Sequence, residues 1–203
     1  IYFNSETEFS LFLKNLSANG KKSYTGLIHC AGFLEVGLFQ ESTEEGLEKT
    51  FRINVLSPIR LIKLFISELA QEKPLGILNV VSSTGRCGNP LLTNYGAANA
   101  ALWTFSESLG RELAGTSISV TTFVAPAMHS PMQKRMGRVA LRHFKVGKSF
   151  DFEITENVAK DAMQVFLKKK AVFIAKASRL KILINVLVPE LINQKISKVW
   201  RNG

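Results

Sequence analysis

Gly76-Ile-Leu-Asn-Val-Val-Ser-Ser-Thr-Gly85 is the stretch that decides the fold. From Gly76 to Val81 it is uncharged and almost wholly apolar, with Pro74 before it and the Ser82-Ser83-Thr84-Gly85 turn after it. A run this short and this apolar reads as a strand buried on both faces, the mark of a parallel sheet covered by helices. The turn then lies just beyond the carboxyl end of that strand.

Strand and helix patterns alternate outward from it. Upstream, Gly26-Leu-Ile-His-Cys-Ala-Gly32 reads as a second buried strand running into a glycine turn. Between the two, Ser42-Thr-Glu-Glu45 has the spacing of a capping box and opens a helix through Phe51, Val55, Leu61 and Leu64 to Leu69, which Pro58 is expected to kink. Nearer the N-terminus, Asn4-Ser-Glu-Thr-Glu opens a helix with Phe9, Phe12, Leu13 and Leu16 on one face. Downstream come a helix from Leu92 to Leu113, a β-branched strand from Ile118 to Val124, and an irregular basic segment from Ala125-Pro126. A helix from Thr155 to Lys168-Lys-Lys170, a strand from Ala171 to Ile174 and a basic amphipathic helical tail over 178–203, broken near Pro189, complete the chain. The pattern predicts one α/β domain over 1–203, a Rossmann-like doubly wound parallel sheet with its ligand site at the carboxyl ends of the strands.

Composition narrows the setting. The chain has 203 residues, 46% of them hydrophobic and 21% charged, enough for one buried core. No apolar run reaches the roughly 20 residues of a membrane span, and the first residues lack the apolar core of a signal peptide. Two cysteines, Cys30 and Cys87, point to a reducing, cytoplasmic setting. Cys30 is expected to be a small core residue, and His29 beside it faces the opposite way on a strand, so no metal site is expected. The net charge of +10 collects in Lys134 to Lys148 and from Lys168 onward. Neither run interleaves aromatics as a nucleic-acid groove would, so no nucleic-acid partner is expected. The apolar and basic sides of the last helix suit packing against the domain or a sister subunit, or peripheral contact with an anionic membrane.

Tyr95 and Asn99 are four apart on the helix that follows the Ser82 turn, and so share a face. A serine hydroxyl from the turn and a tyrosine hydroxyl from the helix can meet over a carbonyl oxygen, the first polarising it and the second donating a proton.

These motifs together resemble the short-chain dehydrogenase/reductase family over nearly the whole chain, from Asn4 to about Leu191. His29-Cys-Ala-Gly32 is similar to the family's Asn-Asn-Ala-Gly motif, Phe51-Arg-Ile-Asn54-Val to its asparagine-bearing helix, and Asn79-Val-Val-Ser82-Ser-Thr-Gly85 with Tyr95 to its serine strand and tyrosine helix. Val120 to Met132 aligns with its Pro-Gly segment, placing Ala125-Pro126 on Pro-Gly and Ser130 on a cofactor-contacting threonine. The resemblance implies NAD or NADP as cofactor, bound through Cys30, Ala31, Gly32, Tyr95, Ala125, Pro126 and Ser130. It implies Ser82, Tyr95 and Asn54 as catalytic residues, with Asn99 at the position of the family lysine. It also implies carbonyl reduction, or the reverse oxidation, of a small or lipid-like substrate by a homo-oligomer.

Two departures qualify that expectation. Asn99 carries no charge to lower the tyrosine pKa, so at an unshifted pKa Tyr95 would be phenolate to only about one part in 10³ near pH 7, and oxidation, which needs a base, should suffer most. The family's Thr-Gly-x-x-x-Gly-x-Gly turn also has no counterpart in the sequence, so the chain reads as N-terminally truncated by a βαβ unit of roughly 30 or more residues. The alternative to an impaired oxidoreductase is a catalytically inactive relative that serves as a binding or dimerisation module.

Overall fold

A computed structural model describes residues 25–69, 75–143 and 153–190, with a few isolated positions outside them. The helix expected near the N-terminus and the end of the 178–203 tail lie largely outside the described residues.

The described sheet has four strands, β1 (Gly26–His29), β2 (Leu75–Ser82), β3 (Ile118–Ala125) and β4 (Val172–Ile174), all parallel and ordered β1-β2-β3-β4. Side chains alternate across a strand, and β2 buries both sets. On one side Leu75 and Ile77 pack with Val120, Ile62 and Phe65 beneath Phe105 and Leu109. On the other, Leu78 and Phe123 pack against Val158 and Ala162. Helices therefore cover both faces, the doubly wound arrangement expected from the apolar runs.

The long helix after β1 has three parts: α1 (Glu44–Phe51), a π-helical segment (Arg52–Leu56) and α2 (Ser57–Leu69). Its cap is Thr43, whose hydroxyl accepts from the Gly46 N–H at 3.0 Å, rather than Ser42, which donates instead to the Phe39 carbonyl. Pro58 does not break the helix. It lacks the N–H that would bond the Asn54 carbonyl four residues back, and its ring would crowd that carbonyl. The turn ahead of it widens instead, with Ser57 N–H bonding the Arg52 carbonyl five residues back.

Beyond β2, the chain makes a short 3-10 turn (Ser83–Gly85) and then α3 (Thr93–Glu112). The segment expected to be irregular after Ala125-Pro126 contains α4 (Pro131–His143). Ser130 caps it, its hydroxyl accepting from the Gln133 N–H at 3.2 Å, and Pro131 opens it with a fixed φ. Next come α5 (Thr155–Leu167), β4 and α6 (Lys176–Leu187), which stops at Val188 ahead of Pro189.

One row of polar side chains crosses the covered sheet: His29, Asn79 and Thr122 are in register on neighbouring strands. Asn79 donates to Ser106 at 2.9 Å, while His29 Nδ1, Asn79 Oδ1 and Thr122 Oγ1 lie buried with no hydrogen-bond partner among the described residues. Burial disfavours the charged imidazolium and lowers the His29 pKa from 6.5 to about 4. Between those two values the unfolded chain binds the proton and the folded chain does not, so acid favours unfolding. The urea midpoint should fall as pH drops from 6.5 toward 4, His29 alone contributing roughly 3 kcal/mol of the loss. The slope should flatten in His29→Asn; an unchanged slope would place the lost stability elsewhere.

Candidate active site

The unequal lengths of β1 and β2 create the site. β1 ends at His29, paired with Asn79, but β2 continues to Ser82, so its last residues have no β1 backbone beside them. Asn99 on α3 supplies the missing partner. Its Oδ1 accepts from the Ser82 N–H at 2.8 Å, and its Nδ2 donates to the Tyr95 carbonyl at 2.9 Å, so one buried amide ties the strand end to the helix that carries Tyr95.

The turn between them is tight for a steric reason. A Cβ on Gly85 would lie 2.8 Å from Ala100 N and 2.9 Å from Asn99 C, so only glycine lets the turn rest against the α3 backbone. Ser82 Oγ accepts from the Thr84 N–H at 3.2 Å, which leaves its own hydrogen to be donated elsewhere.

Tyr95 is half-buried with its phenol among Ser82, Asn99 and Cys30. Burial raises its pKa above the ordinary 10; side-chain hydrogen bonds with Asn99 and Ser82 pull it partly back, and proximity to Cys30 adds a smaller push upward. The group is therefore a protonated phenol at neutral pH. Cys30 itself is exposed, not a core residue: it follows the last β1 residue and faces away from buried His29, while Cys87 is the buried thiol.

Asn54 sits in the π segment, 5% exposed. Its Oδ1 accepts from the Phe33 N–H at 2.7 Å and its Nδ2 donates to the Phe33 carbonyl at 2.8 Å, so the side chain holds the loop after Gly32 rather than reaching Ser82 or Tyr95. Ala31 and Gly32 begin that loop, and Ala125 and Pro126 end β3 on the same carboxyl side of the sheet. Ser130 lies further along, its hydroxyl already engaged in capping α4.

The sequence had singled out Ser82, Tyr95 and Asn99, and the fold brings all three together. It did not show that Asn99 would be occupied by backbone, because that bond depends on β1 being shorter than β2. It also missed a cavity of about 140 Å³ just before Tyr95, whose walls include Glu35, Glu41, Leu91, Thr93 and Asn94. Leu91 there has φ 67 and its carbonyl accepts from the Gly37 N–H at 3.2 Å, a contact between distant loops that no local pattern encodes. The Ser130-Pro131 start of α4, by contrast, was a readable signal left unused.

Cys30, Ala31, Gly32, Ala125 and Pro126, the residues that would hold a nicotinamide coenzyme, lie at the same carboxyl edge of the sheet as Tyr95, and all but Tyr95 are small or ring-locked residues that would leave room for a flat ring. Asn99 fits the ribose contact of the family lysine poorly, since both ends of its amide are bonded to backbone.

Residues 12–139 match the family described as short chain dehydrogenase. The chain is 29% identical over 110 residues to nodulation protein G of Rhizobium meliloti (strain 1021), covering 54% of this chain and 45% of that protein. It is 30% identical over 115 residues to a very-long-chain 3-oxoacyl-CoA reductase of Mycosarcoma maydis, covering 50% and 33%. The matches thus span less than half the length of these relatives. Among solved structures, 4-hydroxyisoleucine dehydrogenase complexed with NADH and succinate superposes with a TM-score of 0.70 at 16% identity, covering 86% of this chain and 75% of that one, a likeness of fold.

Removing the Asn54 amide would leave the Phe33 N–H and carbonyl without their partner. Asn54→Ala should therefore cost roughly 2–4 kcal/mol in urea unfolding. A cost below about 0.5 kcal/mol would mean that water replaces both bonds.

Proposed function

The chain belongs to the short-chain dehydrogenase family, and from that premise we propose that it carries the proton-donating part of a carbonyl-reducing site served by NADH or NADPH. The observation that carries this reading is the meeting of Ser82 and Tyr95 past the end of β2, with burial keeping the Tyr95 phenol protonated.

The roles follow from the hydrogen-bond inventory. Ser82 accepts a bond from Thr84, and its own O–H, which meets the Tyr95 phenol, is the donor that a substrate carbonyl oxygen seated between the two hydroxyls would take. Tyr95 donates the proton that the oxygen takes up as the carbonyl is reduced, and half-burial beside Asn99 limits competition from water. Asn99 is a positioning residue, fixing the distance between the strand end and the tyrosine helix. Asn54 acts through its backbone: the carbonyl that Pro58 cannot serve is available to a water returning protons toward Tyr95. When bound, the coenzyme supplies hydride, and its nicotinamide end would lie along Cys30-Ala31-Gly32 and Ala125-Pro126, with Ser130 nearby.

A raised pKa keeps the phenol almost wholly in its protonated form at neutral pH, the form that reduction uses and oxidation does not, so the direction favoured is reduction. The substrate is a small or lipid-like carbonyl compound, and a 3-oxoacyl thioester is the first to test because one relative is a 3-oxoacyl-CoA reductase. Self-association is part of this reading. The engagement of Asn99 with backbone favours a second one, an inactive module that keeps the fold.

Turnover of NADPH or NADH with a 3-oxoacyl thioester, followed by loss of reduced-nicotinamide absorbance, separates the two. The enzyme reading predicts turnover that Tyr95→Phe lowers about 10²–10⁴-fold and Ser82→Ala lowers less. Turnover unchanged in Tyr95→Phe contradicts that role, and saturable nicotinamide binding without turnover favours the inactive module.

A further inference from the structure

α6 has one face packed on the domain and another that, among the described residues, is left exposed. Ser178, Ile182 and Asn185 recur at helical spacing on the inner side, where Ser178 is 3% exposed and Ile182 packs by Val81, Trp103 and Val124. At about 100° per residue, Leu180, Leu183, Ile184 and Leu187 project from the opposite side. Their exposures are 65%, 53%, 36% and 67%. A single exposed leucine is ordinary on a protein surface, but a stripe of four along one helix marks an interaction site.

The charges around the stripe indicate what would cover it. From Lys176 to Pro189, the helix that carries the stripe and its end, the sequence holds three basic residues and no acidic one, with Glu190 the first acid beyond. On α6, Lys176 and Arg179 are exposed, and Arg179 is oriented by an Nε–H bond to the Ile174 carbonyl at 2.8 Å and by the Phe173 ring, 5.4 Å to its centroid.

We propose that this face docks peripherally on an anionic lipid surface, the Leu180–Leu187 stripe entering the boundary between headgroups and acyl chains while the basic residues meet lipid phosphates. A second copy of the chain meeting the same face would bring like charges together, whereas an anionic surface neutralises them. Among the described residues no helix is long and apolar enough to cross a membrane, so the contact is with one leaflet. The inference does not depend on the chemistry at Tyr95.

The test is co-sedimentation of the full chain with unilamellar vesicles of phosphatidylcholine, with and without phosphatidylserine, at low and high salt. Binding is expected only with phosphatidylserine and should weaken as salt rises. It should fall roughly tenfold or more in Leu183→Glu/Leu187→Glu and in Lys176→Glu/Arg179→Glu. Circular dichroism should be unchanged in both, since all four positions are exposed. No sedimentation with phosphatidylserine vesicles at low salt, or binding that survives both variants, overturns the proposal. So does a dimer seen by light scattering that Leu183→Glu/Leu187→Glu dissociates in the absence of vesicle binding, which would assign the face to a second copy.

Discussion

The centre of this structure is a strand that outlasts its neighbour. Inside a covered sheet every backbone group needs a partner, because water cannot reach it. β2 meets that need from β1 and β3 for most of its length, but β1 stops at His29 while β2 runs on to Ser82. The Asn99 amide completes the pairing, and in doing so fixes α3, and with it Tyr95, to the strand end. Gly85 permits the close approach that this bond requires. Had β1 been as long as β2, its backbone would have taken the Ser82 N–H, and nothing would tie the tyrosine helix to this edge.

The same arrangement sets the character of the site. A lysine at this helix position would bring a positive charge to the phenol and favour its ionised form. Asn99 brings a neutral amide whose two ends are already committed, so burial dominates and the phenol stays protonated. The trade is between charge and fixed geometry: the site loses an electrostatic lever on its tyrosine and gains a rigid link from strand to helix. Tyr95 therefore keeps its proton at neutral pH, and its ionisation is governed by desolvation more than by ion pairing.

Much of this could be read in the sequence. The strands were legible because residues buried on both faces must be apolar, as in Leu75 to Val81. The spacing of Ser82, Tyr95 and Asn99 put them on facing elements, and the resemblance to the short-chain dehydrogenase/reductase family gave the same three positions. What escaped depends on contacts between distant segments. Nothing local says that Asn54 will clamp Phe33, that a widened turn will absorb Pro58, or that Thr43 will displace Ser42 as the cap. Cys30 is exposed because it follows Ile28 on a face of β1 that is itself uncovered, although the apolar pattern of the run suggests burial on both faces. The helix at Pro131 is legible in its Ser130-Pro131 start but not in its composition, since a basic exposed helix and a basic loop share one.

The central claim is that Tyr95 is held as a neutral phenol by burial, with Ser82 and Asn99 as its hydrogen-bond neighbours. The most direct test is an ultraviolet titration of phenolate formation, taken as the difference between the folded chain and Tyr95→Phe. The account predicts a single ionisation above the ordinary tyrosine value of about 10. An ionisation near neutral pH would contradict it, showing that a positive charge reaches the phenol and that the site is poised as a base.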